Sequence, residues 1–174
     1  MKFELREMSD EKIASVKDTV EDNSQQIADI VNSIIQPYCQ DLDNYVKFIK
    51  ECLKDGESPP TNQELEDFCM NLSTYIYFAG GMQEQLGIRD DIAKAVYKEH
   101  YNASRNALQK GTVADKDSLA ELYSQEQAII SVAYTRAYKI MKSKVENAQE
   151  LLQSCKKVLS RRMQEMELTR IGGN

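Results

Sequence analysis

AYTRAYKIMKSKVENAQELLQSCKKVLSRRMQEM, residues 133–166, decides the fold class. It holds no glycine or proline, and neither does the longer run from Thr112 to Ile171. Apolar residues recur there at Leu119, Tyr123, Ile130, Ala133, Ala137, Ile140, Ala148, Leu152, Cys155 and Leu159, extended by Met163 and Met166. Steps of three and four residues put side chains on one face of a helix. One helix of about 55 residues would run roughly 80 Å at 1.5 Å per residue, too long for a compact domain of this size. Either it breaks at a point that periodicity does not mark, or part of it packs against other chains. The second reading is preferred, because a sustained seam needs a partner along its length. It makes Leu119, Ile130, Ala137, Ile140, Leu152 and Leu159 the expected contacts of a homo-oligomer.

The rest of the chain reads the same way. It has 174 residues, 41% hydrophobic and 29% charged, with seven Gly and three Pro. That suits one all-α domain of long elements, an antiparallel helical bundle with a long C-terminal helix. Within residues 1–174, residues 1–111 form an acidic helical part and 112–171 the long amphipathic part. Ser9 or Asp10 can cap a first helix with Ile13, Val16, Val20, Ile27, Ile30, Val31, Ile34 and Ile35 on its stripe. Pro37 is expected to end or kink it, since proline removes a backbone donor. A second stretch carries Tyr38, Leu42, Tyr45, Val46, Ile49, Cys52 and Leu53 and stops at KDGESPP. Thr61 and Glu64 have capping-box spacing. The helix they open carries Leu65, Phe68, Cys69, Leu72, Tyr75, Ile76 and Ala79, and is expected to stop at Gly80-Gly81 in a C-cap and sharp turn. Asp90 and Asp91 mark the next start, with Ile92, Ala95, Val96 and Ala103 leading to a stop at Gly111.

Charge is unevenly spread in a chain of net charge −6. Residues 131–174 hold nine Lys or Arg against four Glu, a local +5, while residues 1–130 hold 13 against 24, a local −11. At about 100° per residue, Arg136, Lys139, Lys142, Lys157 and Arg161 share one arc of about 120°, opposite the seam. A basic stripe of that kind suits a polyanion backbone, where each neutralised phosphate releases counterions. It also suits a solvated helix face, or pairing with the acidic half. Tyr134 and Tyr138 sit nearer the seam than the stripe. Lys144 and Arg162 fall within the seam itself, as polar layers that set register, as groups facing a pore or groove, or as side chains snorkelling at its edge.

Catalytic patterns are missing. His100 is the only histidine and has no Cys or Ser-Asp companion arrangement, so it reads as helix surface. GGMQEQLG lacks the GK[ST] of a phosphate loop and follows a helical stripe where a strand is required. Cys39, Cys52, Cys69 and Cys155 are too scattered for a zinc site and read as small core hydrophobes. No cofactor is implied. The charged opening MKFELREMSDEKIA has no signal-peptide core and no run reaches membrane-span length, so a soluble, cytoplasmic protein is expected.

Three stretches resemble the phage recombination mediators of the UvsY type. IAKAVYKEHYN resembles that family's basic Leu-Lys-Ala-Arg region followed by tyrosines, with Lys94 and Ala95 matching and Val96 standing where the arginine would be. VADKDSLAEL is similar to the stretch before the family's long C-terminal helix, and SRRMQEMELTRIGG to the way that helix ends. The resemblance implies a homo-oligomeric ring that binds single-stranded DNA and helps a RecA-like recombinase displace a single-strand-binding protein, in the bacterial host cytoplasm if phage-encoded. Lys94, Arg136, Lys139, Lys142, Lys157 and Arg161 would then be the DNA contacts. The competing expectation is a phage structural or regulatory module, scaffold-like or inhibitor, that binds protein through its acidic half or its seam and does not bind DNA.

Overall fold

The computed structural model describes residues 10–54 and 59–172. Four helices cover nearly all of them: α1 (Asp10–Lys54), α2 (Asn62–Ala107), α3 (Val113–Tyr123) and α4 (Gln125–Gly172), with no strand among the described residues. At 45, 46 and 48 residues, α1, α2 and α4 are each about 70 Å long by the rise of an α-helix. They lie side by side, with α2 antiparallel to both neighbours. Between α1 and α2, the Tyr75 ring lies tilted against Tyr45 and Phe68 meets Phe48 edge to face. Thr135 bonds Asp90 between α4 and α2, while Lys144 bonds Asp43 between α4 and α1.

One apolar core runs between them. Val31, Ile35, Leu42 and Ile49 enter it from α1, and Leu65, Phe68, Leu72, Ala79 and Leu86 from α2. From α4 come Ala133, Ala137, Met141, Val145, Ala148 and Leu152. Ala133 and Ala137, one turn apart, and Ala148, three turns further on, present small buried side chains on α4, and the α2–α4 contact is the most extensive in the fold. The bundle is all-α and antiparallel as the periodicity predicts.

The ends of α2 and α3 are set by reciprocal caps. Thr61 Oγ1 accepts from the Glu64 amide while the Glu64 carboxylate accepts from the Thr61 amide. Thr112 and Asp115 repeat this at the start of α3. Gly111, at φ 117, makes the left-handed turn between α2 and α3. The expected cap at Ser9, and the side chains of Ile13 and Val16, lie outside the described residues, as does the 55–58 part of KDGESPP.

Four expected boundaries are corrected. α1 passes through Pro37 without ending; Pro37 and Ser33 are both exposed, so the Ser33 carbonyl that loses its donor faces water, while Ile35 and Cys39 hold both sides in the core. α2 passes through Gly80-Gly81 and has no new start at Asp90-Asp91. Added Cβ atoms at Gly80 or Gly81 would meet nothing within 4 Å; these glycines face open space while Ala79 and Leu86 anchor the helix on α4. Ile92, Ala95, Val96 and Ala103, expected as a core stripe, are exposed, and Ala93 is buried instead. The long C-terminal run does break, at fully buried Ser124, whose amide turns back to the carbonyls of Ala120, Glu121 and Leu122.

Candidate nucleic-acid interface

The seam of α4 faces its own chain. Ala137 and Leu152 are buried in the core and Leu159 packs against it, so these three expected oligomer contacts are taken up by α2 and α1. Leu119, Ile130 and Ile140 remain 38–48% exposed. Lys144 and Arg162 sit in the seam because α1 and the α1–α2 connector supply their partners. The Lys144 ammonium donates to both Asp43 oxygens at 2.6 Å, and the Arg162 guanidinium donates to the Pro60 carbonyl. Both pairs fix the register of α4 within the chain.

On the outer face of α4, Arg136, Lys139, Lys142, Lys157 and Arg161 are all exposed. Arg136 to Arg161 covers about 37 Å along the axis. Two of the cations are answered on the same helix: Lys142 lies 3.9 Å from Glu146 and Arg161 lies 2.9 Å from Glu165. Such exposed i, i+4 pairs are worth only a few tenths of a kcal/mol and yield readily to a stronger anion. Among the described residues, Arg136, Lys139 and Lys157 make no ion pair.

The stripe is interrupted. Glu146 and Glu150, both exposed, fall within the same 120° arc at 100° per residue. The face therefore consists of two cationic patches, Arg136–Lys139–Lys142 and Lys157–Arg161, with carboxylates between them. Both carboxylates follow from helical phase, whereas exposed Lys156 lies beside the second patch, about 40° outside the shared arc.

Lys94 comes from α2 and joins the first patch through a buried carboxylate. Asp90 accepts from Lys94 Nζ at 2.7 Å and from Thr135 Oγ1 at 2.6 Å. Burial pushes the Asp90 carboxyl up, but the bonds from Lys94 and Thr135, together with the charges of Lys94 and Lys139, outweigh it and hold the group below the ordinary carboxylate range. The same hydrogen bond to Asp90 raises the Lys94 ammonium above its usual value. The charges of Lys94 and Lys139 thus both act on Asp90, and Lys94 has its strongest partner already in place. No sequence signal pointed to Thr135.

The remaining polar groups serve the fold. Asp117 of α3 accepts from Arg105 and Tyr101 of α2, and exposed His100 stands 3.4 Å from Ser124 Oγ at the α3–α4 break. Cys39 donates to Asp43, and burial followed by that bond pushes its thiol up to about 11. Cys155 is buried too, while Cys52 and Cys69 are half-buried against the core. No described helix is long and apolar enough to cross a membrane. Comparison with protein-family models, with curated proteins and with solved structures finds no match for the chain.

Proposed function

We propose that this chain is a non-enzymatic helical accessory protein that binds single-stranded DNA along the outer face of α4. The observation that supports the reading is the set of three exposed cations, Arg136, Lys139 and Lys157, with no carboxylate partner among the described residues on a chain of net charge −6. An acidic protein that leaves cations unanswered on one face keeps them free for an external polyanion. Lys142 and Arg161 add to the site by exchanging a weak intrahelical partner for phosphate. The resemblance to recombination mediators carries the reading further, to a protein that helps load a RecA-like recombinase.

Fluorescence anisotropy with labelled single-stranded DNA tests it. For single strands each phosphate contact contributes about −0.7 to the slope of log affinity against log salt, so five cations give a slope of about −3.5. Replacing Arg136, Lys139, Lys157 and Arg161 together by alanine flattens that slope to near −0.7. An unchanged slope and affinity in the quadruple variant would remove the face as the site. Absence of binding even at low salt would leave the competing reading, a protein-interaction module, which the exposed apolar residues of α2 favour.

A further inference from the structure

Beside the first cationic patch, α1 and α4 form a surface groove. Asn32, Gln36, Gln40 and Asn44 line it from α1, and Ile140 and Lys144 from α4. The four carboxamides recur every fourth residue, so they follow one ridge of the helix, about 18 Å from first to last. All four are exposed. In the register set by Asp43 and Lys144, 101 residues apart on parallel helices, Asn32 stands level with Ala133 and Asn44 with Val145. The ridge therefore runs alongside Arg136–Lys139–Lys142, and Arg136, one turn before Ile140, stands at the α4 rim.

The chemistry of this stretch of α1 differs from that of the chain around it. No charged residue occurs from Ile30 to Gln40, although 29% of the chain is charged. Among the described residues that line the groove, Asp43 is the one carboxylate, and the Lys144 ammonium bonds both its oxygens at 2.6 Å. The groove thus offers no free carboxylate to repel a phosphate held on α4. It offers carboxamides, each able to donate and accept hydrogen bonds in one plane. That capacity matches the edge of an unstacked base, and Asn and Gln pair in this way with adenine. Ile140, 39% exposed, adds an apolar surface for a base face.

We propose that this groove receives the bases of the single strand whose phosphates lie on α4, with Asn32, Gln36, Gln40 and Asn44 as its base-contacting rim. The inference rests on the α4 reading and deepens it. Cations fix the position of the backbone and carry no sequence information, whereas contacts to base edges do. The first patch and the carboxamide ridge together make a site for whole nucleotides. Lys157 and Arg161 lie past the ridge, level with residues beyond the end of α1 at Lys54, and hold the backbone alone.

Anisotropy titrations of the full chain with labelled oligo(dA), and with an abasic strand of the same length and label, separate base contacts from phosphate contacts. The wild type is expected to bind oligo(dA) about tenfold more tightly than the abasic strand, the discrimination of one good carboxamide–base pair. Replacing Asn32, Gln36, Gln40 and Asn44 together by alanine is expected to remove that difference and to leave the salt slope unchanged, because no cation is altered. All four positions are exposed and alanine favours a helix, so circular dichroism should show the same helicity. Gln36→Ala and Gln40→Ala singly are each expected to reduce the preference in the same direction. Equal wild-type affinity for the two strands overturns the base-contacting groove while the α4 phosphate site stands, and so does a preference that survives the quadruple variant. Failure to bind either strand at low salt overturns both.

Discussion

Asp90 is the buried carboxylate on which α2 and α4 are aligned. Its side chain gives up water for two charge-assisted or hydroxyl hydrogen bonds, and each loses its partner in Asp90→Ala. That substitution is expected to cost about 2–3 kcal/mol in urea unfolding, in the range of hydrogen bonds to a buried charge. The sign with pH follows from the depressed carboxyl. The contribution of Asp90 is fully present above the unfolded value of about 3.9 and disappears as pH falls through the lower folded value. Asp90→Asn is accordingly expected to show less stability loss between neutral and acid pH than the wild type; an identical acid limb would mean that the ionised form contributes nothing. Lys94→Ala should act through this same carboxylate, and should weaken DNA binding less than Lys139→Ala. The five α4 cations of the candidate site were legible because exposure follows directly from helical phase. Lys94 beside them was legible only through a resemblance. Thr135 was not legible at all, because a threonine's partner depends on the register between helices distant in sequence.

At the scale of the helices, glycine and proline misled for an identifiable reason. Local propensity disfavours Pro37 and Gly80-Gly81 inside helices by roughly 3 and 1 kcal/mol per residue. Each nevertheless lies between core-anchoring residues on one continuous face, such as Ala79 and Leu86, and tertiary burial outweighs the local cost. This yields a sharp contrast among the glycines of α2. Gly80→Ala and Gly81→Ala, which meet open space, are each expected to raise stability by about 1 kcal/mol. Gly87→Ala is not, because its new Cβ would stand 3.2 Å from the ring of Tyr138. Urea midpoints decide the matter; a lower midpoint for Gly80→Ala would mean that α2 does turn at the glycine pair. The fold class, the Thr61–Glu64 cap and most core positions of α1 and α2 were legible, since period and capping chemistry are local. The break at Ser124 was not, because no glycine or proline marks it. It is held by burial against α2.

Over the whole molecule, stability should follow the depth of packing and so divide α1 in two. From Val31 to Ile49 this helix enters the common core, whereas its described side chains before Ile27 meet only solvent. Among its described side chains this stretch shows no packed face, and a helix of some 15 residues is marginal in water without one, however regular its hydrogen bonds. Hydrogen exchange is therefore expected to show amides of residues 14–24 exchanging by local opening, far faster than those of residues 31–49, while α2 and α4 around Leu72, Leu86, Ala137 and Met141 exchange only with global unfolding. Val20→Asp should change neither rate nor stability, and Ile35→Ala, in the covered half, should lower stability by about 2–5 kcal/mol as a buried aliphatic truncation does. Equal protection along α1 would mean that its first turns are covered as firmly as the stretch from Val31 to Ile49.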